Sequence, residues 1–106
     1  MEVRKIRQVD SAEPDADGFA DYFYEYDVYE FSDRELCFVA RSYTDNLHEA
    51  HFLRKQTGDQ RSMLEANDFQ HPLFLLALAA LKNDGKTEFN FLSQKSGSYA
   101  PVPVGT

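Results

Sequence analysis

Hydrophobic and polar positions alternate along three consecutive stretches in the first half of the chain. Between residues 22 and 55, aromatic and β-branched residues form three segments that are separated by two short polar turns, Ser32–Glu35 and Thr44–Leu47. Such alternation is typical of strands with one buried and one exposed face. The pattern predicts a three-stranded antiparallel meander over residues 22–31, 36–43 and 48–55.

Two further strands are indicated on either side of the meander. Near the N-terminus Val3, Ile6 and Val9 recur at every third position, which is close to the period of a helix and leaves the segment ambiguous. Because valine and isoleucine favour strands, we predict a strand over residues 2–9. In residues 86–93 phenylalanine alternates with polar residues, which predicts a strand there as well.

A helix is predicted in the second half of the chain. The apolar run Leu73–Leu81 is the longest in the sequence. Pro72 suits the first turn of a helix, and Gly85 provides a stop signal. The helix is therefore expected to begin at Phe69 or Pro72 and to end at Asn83. Its nine-residue apolar run is about half of what a membrane span requires, so we expect no contact with a membrane.

These segments predict an α+β domain with the order β-β-β-β-α-β. One principal apolar helix would pack on one face of an antiparallel sheet. A chain of 106 residues supports a single hydrophobic core, so residues 1–98 are assigned to one domain. Residues 99–106 contain Pro101 and Pro103, which hinder strand pairing, and are predicted to form an extended C-terminal tail.

The two turns also predict which side chains are neighbours, because a hairpin fixes the register of its strands. We place the tip of the first hairpin at Asp33 and Arg34, and that of the second at Asp45 and Asn46. On this register the helix docks at the centre of one face, which carries Tyr24, Tyr26 and Val28 beside Val39, Arg41 and Tyr43. The expected docking residues are Val28, Val39 and Phe52.

The opposite face is expected to be apolar at one end. A monomer would not leave such a patch bare, so either the chain covers it or a second copy does. The helix adds a second apolar stripe, because it is apolar almost all round. The candidate residues for an interface, including one between two copies of the chain, are Tyr29, Phe31, Phe38, Leu53, Phe74 and Leu76.

At its other end the same face is expected to gather three carboxylates and an imidazole, from Glu25, Asp27, Glu49 and His51. Carboxylates and imidazole bind divalent metals, and crowded carboxylates raise each other's pKa. Two interpretations stay open, a binding site and a solvated end of the sheet. His48 and His51 are three residues apart, which places them on opposite faces of a strand and argues against a metal site that uses both.

The charge of the chain is concentrated in one segment. The total net charge is −7, whereas residues 9–35 contain ten acidic side chains and one basic side chain, a local net charge of −9. Such a segment repels phosphates, so direct binding of nucleic acid is not expected. It would attract a basic protein surface. The alternative is that the acidic segment only keeps a small protein in solution.

The sequence contains no motif specific for a reaction, and no cofactor or metal is predicted. We therefore expect a small acidic, non-catalytic interaction or regulatory module that binds another protein and can form a homodimer. The alternative is a metal- or small-ligand-binding enzyme that uses the carboxylate and histidine cluster on the sheet. Cys37 is the only cysteine, and no signal peptide follows Met1, so a cytoplasmic location is expected.

Overall fold

The computed structural model describes residues 1–11, 23–93, 95 and 97–103. Within them the chain forms seven strands, a short 3-10 helix over Ala66–Gln70 and one α-helix, α1, over Pro72–Asn83. The strands are β1 (Glu2–Ser11), β2 (Phe23–Asp33), β3 (Leu36–Tyr43), β4 (Glu49–Thr57), β5 (Gln60–Ser62), β6 (Glu88–Leu92) and β7 (Tyr99–Pro101).

The strands form one mixed sheet in the order β1-β2-β3-β4-β6-β7, and β5 pairs with β4. The α+β class is confirmed, but the prediction of a purely antiparallel sheet is wrong, because β4 and β6 run parallel. The reason is the connection between them. The chain leaves β4, crosses the sheet as α1 and returns in the direction in which it started, as a strand–helix–strand unit does.

The C-terminal segment contributes to the sheet instead of starting as a free tail. Tyr99–Pro101 pairs with β6 as β7, and the N–H of Val102 donates to the carbonyl of Phe89 at 2.9 Å. The side chain of Val102 is buried. The prolines confine β7 to a short strand at the edge of the sheet, where a missing N–H is tolerated. Residues 99–102, which belong to the predicted extended tail, therefore contact the sheet.

The predicted helix is confirmed with its later start. Pro72 is its first residue, and the Nδ1 atom of His71 accepts a hydrogen bond from the N–H of Leu73 at 3.1 Å. Behind Asn83 the chain turns at Gly85, which adopts a φ of 90°. No helix among the described residues is both long and apolar enough to cross a membrane.

The helix α1 packs on the face of the sheet opposite to the predicted one. We call its side the helix face and the other side the open face. The helix face carries Tyr29, Phe31, Phe38, Ala40, Ala50 and Phe52, all buried. The open face carries Tyr24, Tyr26, Val28, Val39, Arg41, Tyr43, Glu49, His51, Arg54 and Tyr99. On the helix face the ring of Phe74 lies 4.6 Å from that of Phe52 and 5.5 Å from that of Phe38.

A β-bulge in β4 accounts for part of the difference. Val39 pairs with Arg54, but Ala40 pairs with Phe52, which leaves Leu53 as an extra residue. Successive residues of a strand point to opposite faces, so one extra residue exchanges the faces of the N-terminal half of β4. Phe52 thereby joins the helix face, whereas Val39 stays on the open face.

The first hairpin turns one residue later than predicted. Asp33 pairs with Leu36, so Arg34 and Glu35 form the tip, and Arg34 has a φ of 57°. A positive φ is what the favoured two-residue hairpin turns require. The pairing is thereby displaced by two residues, so that Tyr26 instead of Tyr24 is opposite to Tyr43. Since two is an even number, the assignment of residues to faces is unaffected.

The structure also locates the six interface candidates. The apolar patch that we predicted on the other face of the sheet is covered by α1. Four of the candidates are therefore core residues and are not available to a partner. These four are Tyr29, Phe31, Phe38 and Phe74. Leu53 is half-buried at the bulge. Leu76 lies on the outer side of α1 and is 51% exposed.

The two helix candidates provide a matched test of this packing. Phe74→Ala removes a ring that contacts Phe38 and Phe52, and is expected to lower the free energy of unfolding by about 3–5 kcal/mol. Leu76→Ala should lower it by less than about 1 kcal/mol, because this side chain is half in solvent. Urea unfolding followed by circular dichroism measures both. Equal losses would show that the outer side of α1 is also buried.

Candidate functional site

Glu25 and Asp27 lie on the helix side of β2, where Arg7 of the neighbouring strand binds both. The Arg7 Nε atom is 2.6 Å from Asp27 Oδ1 and its Nη2 atom is 3.3 Å from Asp27 Oδ2. The Nη1 atom donates to Glu25. These hydrogen bonds, that to Asp27 first, raise the pKa of Arg7. Asp27 is 5% exposed, so the pair serves to hold β1 against β2 and offers little to a ligand.

A second polar contact ties the end of α1 to the same edge of the sheet. The hydroxyl of Tyr29 donates to Asp84, which also lies 3.2 Å from Lys5 Nζ. The hydrogen bond from Tyr29 lowers the pKa of Asp84, while burial raises the pKa of the Tyr29 phenol. The carboxylate therefore stays ionised and attaches the helix end to β1 and β2. Like the Arg7 contacts, this arrangement is structural.

Glu49 and His51 lie on the open face and form a separate group. The Nε2 atom of His51 is 2.5 Å from Glu49 Oε1, which fits a hydrogen bond donated by the imidazole. The same carboxylate accepts hydrogen bonds from the amides of Asn46 and Asn90, at 2.7 and 3.2 Å. Burial lowers the pKa of His51, so the imidazole is neutral at pH 7. Glu49 is thus an acceptor already engaged by three donors.

The predicted cluster of Glu25, Asp27, Glu49 and His51 is therefore not assembled. The first two side chains lie on the helix face and the last two on the open face, because the pairing of β3 with the N-terminal half of β4 is displaced by one residue from the predicted register. Among the described residues, no group of three or more histidine, cysteine, aspartate or glutamate side chains is arranged to hold a metal ion.

The most distinctive feature of the open face is a group of tyrosines around one arginine. Tyr26 and Tyr43 are directly opposite each other, with ring centroids 5.5 Å apart, and the Tyr24 ring is 5.9 Å from that of Tyr43. The Arg41 guanidinium carbon lies 4.9 Å from the Tyr43 centroid, and Arg41 Nη2 donates to the hydroxyl of Tyr99 at 2.7 Å. We call these five residues the tyrosine cluster.

Arg41 organises the tyrosine cluster by contacts other than ion pairs. Its guanidinium lies within cation–π range of Tyr43 and of Tyr26, the latter at 5.6 Å, and its hydrogen bond to Tyr99 reaches across β4 and β6 to β7. In the described part of the chain, no carboxylate lies within ion-pair distance of Arg41. The rings are consequently held in place by a rigid planar cation.

Hydrogen bonding is incomplete on this face. Three buried side-chain atoms of the described residues have no hydrogen-bond partner, namely Arg41 Nε, Arg54 Nε and His51 Nδ1. All three residues belong to the open face. Buried polar atoms are usually paired in folded proteins. Their concentration here distinguishes the open face from the helix face, which is an ordinary apolar core.

Two shallow depressions flank Tyr43 at the end of the sheet near the turn between β3 and β4. The larger, of about 400 Å³, is lined by Tyr43, Asp45, Asn46, Glu49 and His51. The smaller, of about 120 Å³, is lined by Tyr24, Glu25, Tyr43, Thr44 and Asp45. Tyr43 and Asp45 line both depressions, so each depression combines a carboxylate with an aromatic ring.

Sequence reasoning placed Tyr24, Tyr26, Arg41 and Tyr43 on one face but assigned that face to the core. A signal for the opposite assignment was present in the side chains. Tyrosine hydroxyls and a guanidinium need polar partners, so a face with three tyrosines and an arginine favours contact with solvent or a partner. Tyr99 was outside the predicted sheet altogether.

Comparison with known proteins adds no assignment. No protein-family model matches the chain, and neither a curated protein nor a solved structure matches it. The function must accordingly be argued from the open face, its tyrosine cluster and the two depressions.

The buried imidazole predicts a pH dependence of stability. Because the pKa of His51 is lowered from 6.5, the unfolded chain binds a proton below pH 6.5 that the folded chain does not. Stability is therefore lost as the pH falls from 6.5 through the folded-state pKa. His51→Gln should reduce the loss of unfolding free energy between about pH 7.5 and pH 5, as measured in urea.

The matched control for this prediction is His48→Gln, which changes an exposed histidine three residues away. It should leave the pH dependence as it is in the wild type. If His51→Gln and the wild type lost the same free energy over this range, the imidazole would not be buried in its neutral form.

Proposed function

We propose that the protein is a small, non-catalytic interaction module that binds another protein through its open face. The observation that carries the proposal is the tyrosine cluster, Tyr24, Tyr26, Arg41, Tyr43 and Tyr99, on a sheet face that no described element covers. Tyrosine and arginine are the residue types that most often dominate the energy of protein–protein interfaces. They combine a large apolar surface with polar groups that can pair across an interface.

The rigidity of the cluster supports this role. Ordering long side chains on binding costs conformational entropy, which reduces affinity. Arg41 already holds the rings of Tyr26 and Tyr43, and its hydrogen bond fixes Tyr99. The binding surface is thus largely formed before a partner arrives. The unpaired buried atoms of Arg41, His51 and Arg54 lie under the same surface.

The partner is proposed to present a basic side chain next to Tyr43. Asp45 is exposed and forms no hydrogen bond or ion pair with a described residue, although it borders both depressions. A lysine or arginine of the partner placed there would meet a carboxylate and an aromatic ring together. The acidic segment as a whole does not form this surface, because Arg7 already binds Glu25 and Asp27. Its members Glu13, Asp15, Asp17 and Asp21 lie outside the described residues.

The enzyme alternative has less support from the geometry. It requires Glu25, Asp27, Glu49 and His51 to act on one substrate, but the first pair and the second pair lie on opposite faces of the sheet. What remains on the open face is His51 with its carboxylate Glu49, and the free Nδ1 atom of that imidazole is buried. A general base must reach the proton it removes.

We likewise propose a cytoplasmic location and no direct contact with nucleic acid.

The binding surface can be tested with substitutions in the tyrosine cluster. Tyr43→Ala removes the ring that Tyr24, Tyr26 and Arg41 contact, and should weaken binding by about 2 kcal/mol, roughly thirtyfold in Kd. Tyr24→Ala, a half-exposed side chain, should weaken it by a smaller factor. The measurement is capture of partners from a lysate of the native host, followed by calorimetry with the purified captured protein.

The matched control for these variants is Leu75→Ala, on the outer side of α1 and half-exposed like Tyr24. It should leave the Kd unchanged. Protection of β2, β3 and β4 from hydrogen exchange in the complex would locate the contact independently. The proposal is overturned if no protein is captured, or if the purified partner binds both tyrosine variants as tightly as the wild type.

The charge of the partner has a separate test. Asp45→Asn removes the free carboxylate beside Tyr43 and should slow association several-fold at low salt, with a smaller salt dependence than in the wild type. Asp59→Asn removes the same charge from an exposed turn beyond β4 and should leave both quantities unchanged. Stopped-flow or surface-based kinetics at two salt concentrations measures them. Equal behaviour of the two variants would refute a basic contact at Tyr43.

A further inference from the structure

Two arginines lie next to each other on the open face. Arg54 of β4 is paired with Val39 of β3, and Arg41 follows Val39 by two residues on the same face of β3. The two arginines are therefore diagonal neighbours on adjacent strands, where Cα atoms are typically about 7–8 Å apart and long side chains can meet. Among the described residues, no carboxylate lies within ion-pair distance of either guanidinium.

This arrangement differs from that of other cations in the described part of the chain. Lys55 lies 2.9 Å from Asp68, and Arg7 binds two carboxylates. Arg41 and Arg54 are also half-buried, with their Nε atoms buried and unpaired. A charge that is partly removed from water costs free energy unless a counter-charge accompanies it. Here two such cations are adjacent, and their mutual repulsion adds to that cost.

The ends of the two guanidiniums can still act as donors. The terminal nitrogens of Arg54 donate to no described residue and are not among the buried unpaired atoms, so water reaches them. In Arg41 the Nη2 atom donates to the hydroxyl of Tyr99, which leaves Nη1 for another acceptor. Guanidinium groups bind carboxylates through two parallel N–H donors, and such charge-assisted hydrogen bonds are among the stronger ones in proteins.

We propose that Arg41 and Arg54 form a binding site for a carboxylate, which an acidic side chain of the protein bound at the open face supplies. The carboxylate would accept hydrogen bonds from both guanidiniums and would remove their repulsion. The source of the carboxylate rests on the proposed function, whereas the anion site itself does not. The bound protein would then present an acidic residue to the two arginines and a basic residue to Asp45.

The charges around the arginines favour a single compact anion. On β2 and β4 the open face carries two carboxylates, Glu30 and Glu49. Glu30 is directly opposite Arg4 of β1, and Glu49 accepts hydrogen bonds from His51 and two amides. Both would repel further anionic groups, as would the net charge of −7. A carboxylate is therefore accommodated better than the chain of phosphates in a nucleic acid.

The free chain provides the first test, because two adjacent unpaired cations should reduce its stability. Arg54→Met replaces one cation by an apolar side chain and should raise the urea concentration at the midpoint of unfolding. The control is Lys55→Met, at the next position, which removes a cation paired with Asp68 and should lower the midpoint. If Arg54→Met also lowered the midpoint, a carboxylate of the chain itself would already pair with Arg54, and the proposal would be overturned.

The binding test uses a dipeptide of two glutamates, acetylated and amidated at its ends, as the carboxylate probe. The same dipeptide of two glutamines is the neutral control. Because the Nε atoms of both arginines are buried, their N–H signals in NMR spectra are protected from exchange with water and report on the site. Both signals should shift with one dissociation constant in the millimolar range. The glutamine dipeptide should shift neither signal.

Three variants test whether the two arginines bind the glutamate probe. Arg54→Lys keeps the charge but loses the planar pair of donors, and should weaken binding several-fold. Glu30→Gln removes a like charge from the same face and should strengthen binding several-fold. Lys82→Gln removes an exposed cation from α1, on the other face, and should leave the dissociation constant unchanged.

The proposal is overturned if the glutamate probe shifts neither arginine signal, or if Lys82→Gln weakens binding as much as Arg54→Lys does. Inorganic phosphate is titrated in parallel, and tighter binding of phosphate than of the glutamate probe would reject the assignment to a carboxylate. Neither measurement requires the partner protein. A bound probe without a captured protein would therefore reject the proposed function alone, whereas a captured protein without a bound probe would reject the anion site alone.

Discussion

A single extra residue in β4 determines what each face of the sheet presents. Leu53 has no partner in β3, so Phe52 and Ala50 turn towards α1 while His51 and Glu49 turn away from it. Two aliphatic or aromatic residues are thereby added to the apolar core, where burial of each large side chain contributes about 1.5–3 kcal/mol. A regular strand would have placed an imidazole and a carboxylate under the helix. The division between an apolar face and a polar, aromatic face depends on this bulge.

Within the described part of the chain, one α-helix covers a sheet of six successive strands. A small domain buries a limited fraction of its surface, and here the apolar side chains of α1 are used on one face. At the outer edge, where apolar cover ends, ion pairs and a tyrosine hydrogen bond connect β1, β2 and the end of α1 through Arg7, Asp27 and Asp84. The other face depends on inclined and edge-to-face tyrosine rings and on Arg41 for its order. The open face carries polar and aromatic residues because α1 does not cover it.

Local signals in the sequence were sufficient for the elements but not for their arrangement. Pro72 and Gly85 bracket α1 because both act through their own backbone geometry. The alternation of β2 and β3 also gave the right shared face for Tyr26, Arg41 and Tyr43, since a turn misplaced by one residue moves the register by an even number. Between the turn and the bulge at Leu53, the register of β3 with β4 differs from the predicted one by an odd number of residues, and nothing in the residue types around it marks this displacement.

The candidate site shows the same difference between the strands, which local signals indicate, and their arrangement, which these signals do not. The group of Glu25, Asp27, Glu49 and His51 depended on two registers at once, and the odd shift in the second separated it. The parallel pairing of β4 with β6 joins segments some forty residues apart, and the arrival of Tyr99 beside Arg41 depends on it. Contacts between distant segments are decided by the packing of the whole chain, which alternation within one segment does not report.

The parallel connection through α1 has a consequence for the order in which the molecule forms. The strands β1 to β4 are neighbours both in sequence and in the sheet, whereas β6 pairs with β4 only after the chain has crossed the sheet. Closing a longer loop costs more entropy before any contact is gained. Tyr99 is therefore expected to reach Arg41 in a late step of folding. The complete tyrosine cluster would then exist only in the fully folded chain. A partner that contacts Tyr99 would bind incompletely folded chains less well.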